Sequence, residues 1–466
     1  MSGDQDAGKQ IIKLTVADRG AVFAAKFSAS AIRKLGLGLG SNLPGRIARK
    51  LSPSILKNLA SQSVKGVVAV TGTNGKSTTS GILSSILRSA GFTFAHNRQG
   101  ANLVTGITAT IVESAGWSGD LKVDLCLFEI DEAALPVVAR EVEIAAVLVT
   151  NLFRDQLDRF GELDTTSRLI TTGIDINKSQ AVLNADDPNV AQMSVEGKTL
   201  FYGIESVNGE SANAGQSELA YCGNCQEEVS YSMVFYGQLG HWHCPKCDHK
   251  RPKPNISATN VTVKTGSSHF NLVIDGREIE CVLPLPGLFN VYNALAAAAA
   301  AHWMGISFPA IKDGLKKYQT LFGRSERLVI NGKTVIVQLI KNPAGATQAV
   351  ASCTRDDKAH LLIAINDNLA DGRDISWLWD ADFEQLKAGG APIIVSGQRA
   401  EDMAVRMKYA GVDQKLITTQ PKLAHALKEA LDGLGPDETL WLLPTYTCLL
   451  ELQKIFKSMG HAMSGT

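Results

Sequence analysis

The run Val70-Thr71-Gly72-Thr73-Asn74-Gly75-Lys76-Ser77-Thr78 gathers the residue types that a phosphate ester needs. Glycines let backbone N–H groups turn inward, Lys76 supplies a cation, and the Ser77 hydroxyl can ligate Mg²⁺. A bland glycine turn has no use for Gly-Lys-Ser at its end, so the run reads as a phosphate-binding loop. It departs from the general pattern at Val70, which stands where a glycine five positions before Gly75 is expected. A second set is Cys222-x2-Cys225 and Cys244-x2-Cys247, two thiolate knuckles separated by eighteen residues. That spacing closes a tetrahedral Zn²⁺ site, and four thiolates leave no place for water, so the metal is expected to be structural. Redox pairing is the rival, disfavoured where thiols stay reduced. His241, His243 and His249 read as surface residues rather than ligands. Lys246, Lys250, Arg251 and Lys253 make only a faint basic face, and no nucleic-acid partner is expected.

The surrounding pattern is that of elements able to present a loop. An apolar strand, VVAV, runs into the phosphate loop, and behind it Ile82, Leu83, Ile86 and Leu87 recur at helical spacing. VDLCLFEI, IAAVLVT and AVLNADDP read as further buried strands, which predicts a mostly parallel sheet with its ligand beyond the strand C-termini. The cysteine insert interrupts this from about residue 220 to about residue 254. VTVKTGSSHFNLVIDGREIECVLPL then alternates as antiparallel strands with a turn at Asp275-Gly276, and a helix follows GLFNVYNALAAAAAAHWMG. Past Gln319 to Arg324 a second α/β pattern begins, with VIVQLI, HLLIAIN, APIIVSG and TLWLLP as strands. Two domains are expected, 1–322 and 323–466.

Composition excludes several classes. The 466 residues are 45% apolar and 20% charged, with 46 basic against 46 acidic side chains, which disfavours disorder and generic polyanion binding. Residues 1–65 hold eleven Lys/Arg against three Asp/Glu. Their amphipathic stretch AVFAAKFSASAIRKLG suits either an anionic bilayer surface or, the favoured reading, packing on its own domain. The Ala-rich stretch from Ala294 to Gly305 reads as a buried helix, not a membrane span. With no secretory pattern and with concentrated cysteines, a cytoplasmic location is expected.

The short form TGTNGKST resembles the signature of the Mur ligase family, which includes folylpolyglutamate synthases and cyanophycin synthetases. That resemblance implies an α/β fold with a Mur ligase-like central ATPase domain, here with an inserted zinc ribbon, plus a second α/β C-terminal domain. It also implies ATP, Mg²⁺ and acid-to-amide ligation through an acyl phosphate. Carried over by motif, Gly72, Thr73, Asn74, Gly75, Lys76, Ser77 and Thr78 would hold the nucleotide phosphates. Glu129 in LFEIDE would bind Mg²⁺ with Ser77. Asn293 in FNVYNALAA would face the adenine or the phosphates, while Asn290 also suits a helix N-cap. Arg324 in GRSERL would close on the phosphates from the C-terminal domain.

Four departures narrow the resemblance. Roughly 65 residues before the loop are short for the uridine-nucleotide domain of the amino-acid adders. Asp155-Gln156-Leu157-Asp158 replaces Asp-His-Leu-Asp, and no lysine lies between Gly161 and Lys178, so a second Mg²⁺ is not indicated. Gln338-Leu339-Ile340-Lys341-Asn342-Pro343 replaces Asp-Tyr-Ala-His-Asn-Pro, and NDNLADGRDISWLWDADFE has no counterpart there. Together with SNLPGRIARKLSP, GANLVTGITAT, EIDEAALP and IKNPAGATQA, these are similar to the lineage forming the ligase subunit of lipid II isoglutaminyl synthases. The lineage implies amidation of the D-glutamate α-carboxyl of lipid II at the inner face of the bacterial membrane, with ammonia from a GatD-type glutaminase partner. It also places an aspartate that completes the partner's Cys-His pair, by motif position Asp374, with Asp371 in reserve. Turn or cap roles remain open for both. Trp377 and Trp379 are candidates for an interface or for the core. Cys126, Cys281, Cys353 and Cys448 read as core thiols. The alternative function is a stand-alone ligase adding an amino acid to a carboxylate.

Overall fold

The computed structural model describes residues 12–34, 42–97, 101–153, 163–194, 198–208, 220–264, 266–320, 323–388, 390–435 and 437–461. Its larger sheet begins with six parallel strands, β1 (Val67–Thr71), β2 (Phe94–His96), β3 (Leu125–Glu129), β4 (Ile144–Val149), β5 (Gln180–Asn184) and β6 (Thr199–Ile204). A hairpin of β7 (Ser230–Tyr236) and β8 (Leu239–His243) stands apart. Then β9 (Ile256–Lys264), β10 (Ser267–Ile274) and β11 (Arg277–Leu283) extend the sheet, β9 parallel to β6 and the last pairs antiparallel, in the order β11-β10-β9-β6-β5-β4-β1-β3-β2. The turn expected at Asp275-Gly276 is the β10–β11 turn, with φ of 50° and 72° at those residues.

The central strands are apolar on both faces because both are covered. Side-chain alternation sends Val68, Val70, Leu127 and Leu148 to one apolar cluster and Val67, Ala69, Phe128 and Val147 to the other. The first cluster is roofed by the helices Lys76–Ser89 and Leu288–Trp303. Ala294 to Ala301 are all buried, so the expected Ala-rich helix is a core helix, whose small side chains let it pack on its neighbours and on β5, β6 and β9. The N-terminal helix Val16–Lys34 buries Ala21, Val22 and Ala25 with the second cluster's side of the sheet and leaves Phe23 and Phe27 exposed. Its buried Asp18 accepts hydrogen bonds from Thr15, Ser52 and Asn58, which tie the helix to the next two. No helix among the described residues is long and apolar enough to cross a membrane.

Strands leave β1 in both directions, to β3 on one side and β4 on the other, so the order reverses at the C-terminal end of β1. A doubly wound sheet opens a crevice at that reversal, and the loop from Gly72 to Gly75 occupies it. A second sheet follows, of β12 (Arg324–Ile330), β13 (Lys333–Gln338), β14 (Ala359–Ala364), β15 (Ile393–Ser396), β16 (Ile417–Thr419) and β17 (Thr439–Pro444). Its order is β12-β13-β17-β14-β15-β16, parallel except for the β12–β13 hairpin, with an apolar cluster on each face. The expected junction after residue 322 falls at residues 321–322, outside the described residues.

Candidate active site

The Lys76–Ser89 helix starts directly after the loop, with Gly75 as its N-cap at φ 84°. Gly72 has φ 115°, and a Cβ there would collide with Thr150, as one on Gly75 would with Asn293. Both glycines are therefore required by conformation and by close approach. The loop is held from β4: Thr150 Oγ1 donates to Asn74 O at 2.7 Å, and Asn151 Oδ1 accepts from Asn74 N–H at 2.9 Å.

Lys76 turns into this cradle. Its Nζ lies 2.8 Å from Glu132 Oε1, 2.5 Å from Gly72 O and 3.3 Å from Thr73 O. Burial alone would lower the Lys76 pKa, but the Glu132 and Glu129 carboxylates outweigh it and hold the ammonium above its ordinary value. Ser77 Oγ donates to Glu129 Oε2 at 2.7 Å, which places a hydroxyl and a carboxylate side by side as a hard divalent cation requires. Glu129 ends β3 and is fixed through its backbone: Asn97 Oδ1 accepts from its N–H at 2.8 Å and Asn97 Nδ2 donates to its carbonyl at 2.7 Å.

An open cleft adjoins the loop. Asn74, Gly75 and Thr78 form one wall, Tyr236, Phe289, Asn290 and Asn293 another, and Arg324, Gln338, Lys341 and Gly345 close it from the second sheet. Asn293 Oδ1 accepts from Thr79 Oγ1 at 3.2 Å, and its Nδ2 donates to Asn290 Oδ1. Asn290 is not the helix cap: Gly287 holds that position, and Asn290 instead donates to Pro286 O at 2.7 Å and steadies Asn293. Arg324 opens β12, which brings it to the cleft. The closure is tied by an amide pair, Asn342 Nδ2 to Asn74 Oδ1 at 2.9 Å and Asn74 Nδ2 to Asn342 Oδ1 at 3.4 Å, and by Lys341 Nζ at 3.3 Å from Thr73 O.

The four cysteines gather as their spacing predicts. Neighbouring Sγ atoms lie 3.5–3.7 Å apart, and all four are within 4.8 Å of one another. Those separations match the edges of a tetrahedron with metal–sulfur bonds of about 2.3 Å, so the donor set fits Zn²⁺. Backbone N–H groups of Lys246 and Cys247 point at Cys244 Sγ, both at 3.4 Å, as donors to a thiolate. The reading of the three histidines as surface residues holds only for His243. His241 Nε2 is bonded to Ile204 O at 2.8 Å, and His249 packs on Trp242 with Nδ1 3.4 Å from Cys222 Sγ.

Asp374 and Asp371 are not brought to this cleft. Asp374 is partly exposed and accepts from Ser376 N–H at 2.8 Å, a bond that holds its carboxyl below the usual range just ahead of the turn Ser376–Trp379. Asp371 is buried and bound to Thr447, at 2.7 Å from its N–H and 2.5 Å from its hydroxyl. Trp377 is buried, whereas Trp379 is 53% exposed against the Tyr409 ring. The Asp155–Asp158 motif lies outside the described residues. Sequence reasoning missed Glu132, Asn97, Asn151 and Tyr236 at this site. Glu132 alone carried a local signal, as the third acid of Glu129-Ile130-Asp131-Glu132.

Residues 70–241 and 230–301 match the family model described as Mur ligase middle domain, and residues 339–449 match MurT ligase C-terminal. The chain is 35% identical over 433 residues to "Lipid II isoglutaminyl synthase (glutamine-hydrolyzing) subunit MurT" of Staphylococcus aureus (strain COL), spanning 92% of this chain and 95% of that protein. It is 34% identical over 426 residues to the protein of the same name from Streptococcus pneumoniae (strain ATCC BAA-255 / R6), spanning 91% and 93%. In fold it is similar to a pseudomurein peptide ligase type C from Methanothermus fervidus, with TM-score 0.68 and 24% identity over 86% of this chain and 80% of that one. With both family matches and near full-length relatives on one chain, the protein belongs to the Mur ligase family and, within it, to the MurT lineage.

Proposed function

We propose that this chain is the ATP-dependent synthase subunit that converts the D-glutamate α-carboxyl of the lipid II stem peptide into its amide, giving D-isoglutamine. The observation that carries this reading is the near full-length similarity to two subunits named for lipid II isoglutaminyl synthesis. The phosphate cradle and the cleft beside it supply the chemistry. A substrate carboxylate oxygen attacks the γ-phosphorus of ATP and ADP leaves; ammonia then attacks the acyl carbon and expels phosphate.

The residues act through position and charge. Gly72 to Thr78 hold the phosphates, and Lys76 and Arg324 neutralise the charge that moves to the leaving oxygens. Ser77 and Glu129 would hold Mg²⁺, which when bound shields the phosphate charge. Cys222, Cys225, Cys244 and Cys247 hold a structural Zn²⁺. Ammonia comes from glutamine through a GatD-type glutaminase subunit. Asp374 serves that partner's imidazole, since Asp371 is already committed to Thr447 whereas Asp374 is ionised and accessible. The setting is the cytoplasmic face of the membrane, where the lipid-linked substrate lies.

Mass spectrometry of lipid II incubated with the protein, ATP, Mg²⁺ and ammonium tests this. An acid-to-amide shift is expected with ammonium alone, and with glutamine only when the glutaminase is present. No shift in either arm, with an amino acid accepted as nucleophile instead, overturns the reading in favour of a stand-alone ligase.

A further inference from the structure

The hairpin between the two cysteine pairs reaches back to the cleft. β7 leaves after Cys225 and β8 returns to Cys244, so the four-cysteine cluster gathers the hairpin's open end, where a bound metal would pin it. The hairpin is fastened to the segments that follow β4 and β5: Gln238 Nε2 donates to Leu152 O at 2.7 Å, Gly240 N–H to Asp186 O at 2.9 Å and Trp242 Nε1 to Ala185 O at 3.0 Å. Just beyond Cys247, Arg251 pairs at 2.5 Å with Asp186, which is fully buried. At Gly237, φ is 58° and a Cβ would come within 2.6 Å of the Phe153 ring, so the turn lies flush on that side chain. Phe153 in turn exchanges hydrogen bonds with Thr73 of the phosphate loop, donating its N–H to Oγ1 at 3.1 Å and accepting from it at 3.2 Å.

The residue this delivers is Tyr236. It is buried, its ring centroid is 5.2 Å from that of Phe153, and it lines the cleft beside Phe289, Asn290 and Asn293. That wall carries no formal charge, unlike the Lys76, Glu129 and Glu132 cluster at the loop. An aromatic ring with neighbouring amides suits a heterocyclic base, as the cationic loop suits phosphates. We propose that Tyr236, carried by the zinc-ribbon hairpin, is the surface on which the nucleotide base packs, so that metal binding at the four cysteines sets nucleotide affinity. This rests on reading the cleft as the ATP site.

Calorimetric titration of the full, zinc-loaded chain tests it with two Mg²⁺-bound probes, a non-hydrolysable ATP analogue and inorganic tripolyphosphate. Tyr236→Ala is expected to weaken the ATP analogue about tenfold, the scale of one lost base–aromatic stack, and to leave tripolyphosphate unchanged. Tyr236→Phe restores analogue binding. Gln238→Ala, which loosens the turn with zinc in place, weakens the analogue selectively, and chelating zinc does the same in the wild type but adds little in Tyr236→Ala. Equal loss of both probes in Tyr236→Ala, or unchanged analogue binding, overturns the proposal while ATP binding by the wild type stands. A wild type that binds neither probe overturns the ATP reading itself.

Discussion

Lys76 and Glu132 form a buried ion pair at 2.8 Å, a geometry that keeps the cation charged and aimed at the loop carbonyls. A buried cation without a partner is costly, so the two carboxylates are what let Lys76 stay protonated inside the fold. In the proposed mechanism, loss of Lys76 strikes the phosphoryl step shared by every nitrogen source. Asp374 sits elsewhere, partly exposed, with its carboxylate bonded to the Ser376 N–H. Lys76→Ala is expected to abolish amidation with either ammonium or glutamine. Asp374→Ala is expected to keep the ammonium rate within about twofold and to lose glutamine-driven turnover by at least about a hundredfold, as removal of the group orienting a catalytic imidazole does. Parallel rate assays with the two nitrogen sources check the split; equal losses for Asp374→Ala would remove it from the partner's site.

At the scale of elements, the hairpin, β5 and the segment after β4 meet at Asp187, which caps the short helix Pro188–Ala191. Its carboxylate accepts from Leu152 N–H at 2.9 Å and Asn189 N–H at 3.0 Å, and Gln238 approaches at 3.4 Å. Burial pushes its pKa up from 3.8 to about 7, against these hydrogen bonds, which favour the ionised form. A raised folded pKa favours the neutral acid in the fold. Its contribution to stability is thus complete below about pH 4 and fades as pH rises through about 7. Asp187→Asn, which keeps a carbonyl acceptor, removes this titration. The variant's Tm relative to wild type is expected to rise by a few degrees from acid to mildly alkaline pH, and thermal unfolding across that range measures it. A flat difference would mean that the buried carboxyl does not titrate there.

Across the whole molecule, the two sheets are coupled through polar contacts that include the Asn74–Asn342 pair. Asn342 performs two tasks at once: it caps the Pro343–Cys353 helix by accepting from Gly345 N–H at 2.9 Å, and it pairs with Asn74. Its substitutions separate these tasks. Asn342→Ala is expected to lose about 1 kcal/mol of stability with the cap and to raise the KM for ATP several-fold with the pair. Asn342→Ser keeps a capping oxygen, so its Tm stays near wild type while the KM rises alike. Steady-state kinetics beside thermal unfolding distinguish the two, and a Ser variant with wild-type KM would show the pair to be idle in nucleotide binding.

Much of this protein is legible along the chain because the signals are local. The phosphate loop is set by glycines that must take positive φ between a strand and a helix, and the cysteine knuckles by spacing that backbone geometry converts into a cluster. The two sheets follow from apolar runs and helical periodicity, and the Ala-rich run determines its own burial. What the chain order does not determine is which distant side chains meet. Asn74 and Asn342 lie 268 positions apart, and their pairing depends on how the second sheet docks. Tyr236 reads as one more aromatic in an insert until the hairpin folds back onto Phe153. Likewise motif position ranks Asp374 ahead of Asp371 but leaves turn or cap roles open for both, and only Thr447, 76 residues past Asp371, separates the buried tie from the partly exposed carboxylate. Backbone conformation and periodicity are properties of neighbouring residues, whereas the partners of a side chain are chosen by packing, which exists only once the elements have been brought together.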